Sequence, residues 1–134
     1  MESVELNYVI QKHRARRAGI HLDFRIQYPK KPALASFAIA KKDRFPEFSE
    51  KFLVIRTPDH GLEWLDWTKP IEKGNYGAGT FEIIQKGKLQ IEGWSNNHIT
   101  FKIDGPKIKG RYTLIRAYGR KSKTWFLIKT KKQN

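Results

Sequence analysis

The sequence has 134 residues, 27 Lys+Arg against 13 Asp+Glu for a formal charge of +14, and 13% aromatic residues. That aromatic content excludes a disordered basic tail, and the length fits one domain of roughly 100–200 residues with room for a core. With no Cys there is no disulfide framework, thiolate zinc site or cysteine nucleophile, and no apolar run approaches the ~18 residues of a membrane helix.

Met1-Glu2-Ser3-Val4-Glu5 is not a signal peptide, so a cytoplasmic, nucleoid-associated protein is expected, without a membrane role. Period-two alternation then dominates the chain. A first strand is predicted over 5–11, with His13 at its end and 14–18 as a candidate helical turn. Next, Ile20, Leu22, Phe24 and Ile26 alternate with His21, Asp23, Arg25 and Gln27, the clearest half-buried strand. After the turn Tyr28-Pro29-Lys30 come strands at 34–41 and 52–57, and a short helix within 61–67. Gly74-Asn75-Tyr76-Gly77-Ala78-Gly79 is glycine-rich, but no helix pattern follows to receive a phosphate, so it reads as a sharp turn. Strands follow at 80–85, 88–92 and 99–103. Turn signals stand at Lys86-Gly87, Ser95-Asn96-Asn97, Asp104-Gly105-Pro106 and Lys109-Gly110. From Lys102 onward there are 11 Lys+Arg and one acid, interleaved with Tyr112, Leu114, Ile115, Trp125, Phe126 and Leu127. This stretch reads as two strands with a basic, nucleic-acid-gripping outer face, ending in a frayed segment from Lys131 to Asn134. The predicted fold is mainly β: a single small closed or nearly closed antiparallel β-barrel with one or two short helices. One domain over 1–134 is expected, with its core over 7–131.

His21, Asp23 and Arg25 share one strand face. At ~3.3 Å rise per residue, successive side chains on a face start roughly 7 Å apart and can converge on one ion. If 14–20 forms a connection, His13 returns beside His21. Two imidazoles and a carboxylate suit Mn²⁺, Zn²⁺ or Fe²⁺, and Arg25 adds a forked donor for phosphate oxygens. A merely solvated strand face accounts for the same row of polar residues. His60 falls in a predicted loop after a strand, where functional residues concentrate, though a turn histidine also fits. His98 reads only as a hairpin-tip residue. His21-x-Asp23 with His60 also mimics an iron(II) oxygenase triad, but no Arg lies between Arg56 and Arg111 to anchor an oxo-acid. Metal-assisted phosphoester hydrolysis fits best. A non-catalytic basic barrel that binds nucleic acid and recruits a ligase is the alternative.

Several motifs in order resemble the 3′-phosphoesterase domain of bacterial DNA ligase D. They are Gln11-Lys12-His13, His21-x-Asp23-Phe24-Arg25, Asp59-His60-x-Leu62-Glu63, the stretch from Pro70 to Thr80, and the closing strands from Lys109 and Trp125. The resemblance runs over about 7–131. It implies a small β-barrel with a surface groove and a single Mn²⁺, or another divalent transition metal. It also implies removal of a 3′-terminal ribonucleoside, and then of the 3′-phosphate, in DNA strand-break repair. By motif, His13, His21 and Asp23 would be metal ligands, and Arg25 and His60 would act catalytically on the scissile phosphate. Gln11, Lys41, Trp64, Arg14 and Arg16 would contact substrate. The implied partners are DNA or DNA/RNA 3′ ends of primer–templates, with a separate DNA ligase or end-joining factor as a further candidate, and a monomer is expected. Some positions depart from the family pattern. The stretch between His13 and His21 is longer, Pro58 stands where an acid is usual, Trp64 replaces a tyrosine, and Phe52 falls where an arginine is common. As a chain, the sequence reads as this domain alone.

Overall fold

The structure, a computed structural model, describes residues 3–119, 121 and 123–130. Eight strands follow in order: β1 Val4–Ala15, β2 Gly19–Gln27, β3 Leu34–Ile39, β4 Lys51–His60, β5 Gly79–Ser95, β6 His98–Asp104, β7 Lys109–Arg116 and β8 Thr124–Thr130. They close an antiparallel barrel in the order β1-β2-β3-β4-β8-β7-β6-β5. A single 3₁₀ turn, Leu62–Leu65, lies in the long connection between β4 and β5. Among the described residues no helix is long and apolar enough to cross a membrane.

Alternation builds the interior. Tyr8 and Ile10, Leu22, Phe24 and Ile26, Phe37 and Ile39, and Leu114, Trp125 and Leu127 point inward into one buried cluster. Phe24 sits at its middle, 5.3 Å from both Phe45 and Phe101 between ring centroids. Gln85 is the polar exception. Its amide donates to the Tyr8 hydroxyl and the Ile108 carbonyl, and its oxygen accepts from the backbone of Lys107 and Ile108, so the 105–108 turn is stitched to the barrel.

Several expectations change. The segment at 14–18 is no helix: β1 runs to Ala15 and a turn leads directly into β2. Lys86-Gly87 is not a turn, and the two strands predicted at 80–85 and 88–92 are one 17-residue strand bent around the barrel. Lys109-Gly110 begins β7 rather than preceding it. The outer face of the late strands is less basic than expected. Outward from β7 and β8 stand Thr113, Ile115, Phe126 and Ile128, while Lys109 and Arg111 are ion-paired with Asp104 and Glu92. The closed strand order sets these strands across the barrel from β1 and β2. Residues 131–134, read as a frayed end, lie outside the described residues.

Candidate active site

The outward face of β1 and β2 is not solvated. His13, His21, Asp23 and Arg25 are between 3% and 8% exposed, which overturns the reading of this row as a solvated strand face. The cover comes from the β4–β5 connection. The Trp67 carbonyl accepts from Gln11 Nε2 at 2.7 Å, the Gly77 carbonyl accepts from His13 Nε2 at 3.0 Å, and the Trp64 ring lies 4.8 Å from the Arg25 guanidinium. Val9, Leu34 and Phe81 are buried under the same cover, outside the main core.

Register brings the predicted residues together. Antiparallel pairing sets His13 opposite His21, Gln11 opposite Asp23 and Val9 opposite Arg25. The two imidazoles lie 4.9 Å apart between centroids. Two irregularities in the ladders aim the remaining groups. Ile10 pairs with Gln85 but Gln11 with Ile83, so one extra residue in β5 reverses its alternation and turns Phe81 outward to stack on His13 at 4.1 Å. Similarly, Ser36 pairs with Thr57 but Leu34 with His60. The extra residue falls at Pro58-Asp59, where a proline is tolerated, and it swings His60 onto the site face. His60 is therefore the last residue of β4, not a loop residue.

The polar contacts converge on Asp23. Its Oδ1 lies 3.1 Å from His21 Nε2, and its Oδ2 lies 3.2 Å from His13 Nδ1 and 3.5 Å from Arg25 Nη2. A carbonyl only accepts, so the bond to Gly77 puts a proton on His13 Nε2 and turns Nδ1, the other ring nitrogen, toward the carboxylate. A lone pair facing a carboxylate oxygen needs a cation between them, either a proton or a metal ion. An imidazole oriented by its outer N–H on a carbonyl is the usual support of a metal-ligating histidine. One donor atom each from His13, His21 and Asp23 lies within 4.8 Å of the others, which fits a divalent ion bound by nitrogen and oxygen. Burial pushes the Asp23 carboxyl up, but hydrogen bonds from His13 and His21 and the charge of Arg25 outweigh it and hold it well below the carboxylate range. Burial alone would lower the His21 imidazole; the hydrogen bond and charge of Asp23 raise it instead. A bound metal ion would displace that proton.

The neighbouring groups take distinct positions. Gln11 is fully buried, accepting from Arg25 Nη1 through its oxygen and donating to Trp67. Arg25 Nε is buried without a hydrogen-bond partner among the described residues, which leaves one donor uncommitted. His60 Nδ1 donates to the Pro58 carbonyl at 2.7 Å, leaving Nε2 available, and burial and the charge of Arg25 push its imidazole below the ordinary value. Trp64 packs edge-on against His60 and face-on against Trp67, at 4.8 and 4.6 Å. Arg14 and Arg16 are exposed at the β1–β2 turn, and Lys41 is exposed in the β3–β4 turn at the same barrel end. These three stand at the rim rather than in the buried cluster. Phe52 points into the barrel, with Lys42 and Arg44 over its ring at 5.0 and 4.9 Å. Sequence reasoning passed over Phe81, Gly77 and Trp67. Trp67 stacks on Trp64 from beyond the end of the 3₁₀ turn, a contact that no local pattern announces.

The molecule is thus a small closed β-barrel with a buried histidine–carboxylate cluster on its outer wall, roofed by a long connection. The sequence then gives the particular family. Over residues 11–116 it matches the DNA Ligase D 3′-phosphoesterase domain. It is 36% identical over 132 residues to the multifunctional non-homologous end joining protein LigD of Pseudomonas aeruginosa, covering 94% of this chain and 15% of that protein. Against the protein of the same name from Mycolicibacterium smegmatis it is 35% identical over 138 residues, covering 94% and 17%. The chain belongs to the DNA ligase D 3′-phosphoesterase domain family, and it spans only 15–17% of the length of these relatives.

Proposed function

We propose that this chain is a metal-dependent 3′-end-processing phosphoesterase, using Mn²⁺ or another divalent transition metal, that acts in DNA strand-break repair by end joining. In this reading it removes a 3′-terminal ribonucleoside and then the exposed 3′-phosphate. The observation that carries it is the buried convergence of His13 Nδ1, His21 Nε2 and both Asp23 oxygens beside an arginine. A domain that only binds nucleic acid has no use for burying these groups, so the geometry disfavours the non-catalytic alternative. The relatives' names, which place them in non-homologous end joining, agree with the repair role.

His13, His21 and Asp23 would hold the metal, which when bound polarises a phosphate oxygen and lowers the pKa of water. The protein's own groups do the rest. Arg25 steadies Asp23 with Nη2 and offers its uncommitted Nε to a phosphate oxygen as charge develops there. His60, its Nδ1 held by Pro58, clamps the phosphate or delivers a proton to the departing oxygen through Nε2. Gln11 fixes the Arg25 fork, and Trp64 closes over it. Arg14, Arg16 and Lys41 meet the phosphates of the primer–template from the barrel rim, where free cations take up the backbone charge. A protein with this substrate works in the cytoplasm beside the nucleoid, as a monomeric unit, and hands its 3′-hydroxyl ends to a ligase.

The test is a 5′-labelled primer–template ending in one 3′ ribonucleotide. Mn²⁺ is expected to shorten the primer by one nucleoside to a 3′-phosphate and then a 3′-hydroxyl, and EDTA to stop both steps. Absence of turnover across a series of divalent metals would reject the enzyme reading.

A further inference from the structure

The last part of the connection roofing the site is held by backbone hydrogen bonds and presents one exposed aromatic side chain. Ile71 and Gly79 exchange two backbone hydrogen bonds of 2.9 Å, Ala78 donates to Asn75 at 3.1 Å, and Arg16 donates to Ala78 at 3.2 Å. Gly77, at φ +77°, takes the third position of the 75–78 turn, where the left-handed conformation demands glycine, and its carbonyl holds His13. Gly79, at φ +140°, approaches β1 so closely that a Cβ there would lie 2.2 Å from the Arg14 carbonyl oxygen. Tyr76 occupies the second position of this anchored turn and is 75% exposed. Its backbone adjoins Gly77, whose carbonyl orients His13. The side chain therefore stands exposed beside the histidine edge of the cluster, on a turn held by backbone hydrogen bonds.

We infer that Tyr76 is the platform on which the departing 3′-terminal nucleoside stacks, so that it sets the preference for diester over monoester ends. This rests on the phosphoesterase reading above. A rigidly presented tyrosine offers a large amphipathic face at little conformational cost, and stacking on a base is tolerant of sequence. A diester carries a nucleoside on the far side of the scissile phosphate. A 3′-phosphate end carries none, so the platform has nothing to hold there.

Tyr76→Ala and Tyr76→Phe can be compared with wild type on two primer–templates, one ending in a ribonucleotide and one in a 3′-phosphate. Because the side chain is exposed, both variants should fold. Tyr76→Ala is expected to raise KM for the ribonucleotide end and lower the diester-to-monoester ratio of kcat/KM by roughly 5- to 150-fold, the range of one lost base stack. Tyr76→Phe should keep the wild-type ratio. An unchanged ratio in Tyr76→Ala, or a Tyr76→Phe ratio as low as that of Tyr76→Ala, would overturn the assignment. Cleavage of neither end by wild type would instead sink the phosphoesterase reading itself.

Discussion

Replacing His21 by Ala is expected to abolish protection by Mn²⁺ and to lower turnover by about 100-fold or more, since loss of even a group supporting a ligand costs 10–100-fold. The variant keeps the barrel. His21 lies near the open start of β2, and Asp23 retains His13 Nδ1 at 3.2 Å and Arg25 Nη2 at 3.5 Å. In wild type, Mn²⁺ at 100 times its dissociation constant should stabilise the fold by about 2.7 kcal/mol. In a chain of this size that is a melting shift of several degrees. Thermal scans with and without Mn²⁺ check this. An equal shift in wild type and His21→Ala would mean the ion binds elsewhere.

The largest effect on stability is expected from Phe24→Ala. Phe24 is fully buried, with Tyr8, Phe45 and Phe101 around it at centroid distances of 6.2, 5.3 and 5.3 Å. Emptying that position loses the burial of the ring and leaves a cavity that a closed barrel relaxes into poorly, a cost of about 3–5 kcal/mol. The melting temperature should fall by about 10–20 °C. Its sequence neighbours Asp23 and Arg25 face the opposite way, onto the site, so turnover well below the new melting point should persist. A fall of only a degree or two would show that Phe24 is not central to the packing.

These two variants also mark what could be read from the chain. Alternation along 20–27 identifies both faces of β2, because the side-chain period of a strand is two. The return of His13 to His21 follows from a short connection between consecutive strands. What stayed hidden is non-local. The polar face of β2 is buried because residues 61–78, far along the chain, fold back over it, and nothing within 20–27 announces a roof. The extra residues in β5 and at Pro58-Asp59 each reverse an alternation, so the sequence pattern alone puts Phe81 and His60 on uncertain faces. Charge misled in the same way. The late Lys and Arg residues are dense in sequence, but barrel closure carries β7 and β8 to the far wall, while Arg14, Arg16 and Lys41 stand at the barrel end where β1 turns into β2 and β3 into β4.

The position of a bound metal ion is the most direct test of the site. Crystals soaked in Mn²⁺ and measured at its absorption edge should show one anomalous peak about 2.0–2.3 Å from His13 Nδ1, His21 Nε2 and an Asp23 oxygen. A peak elsewhere in a protein that still turns over, or no peak at this cluster, would contradict it.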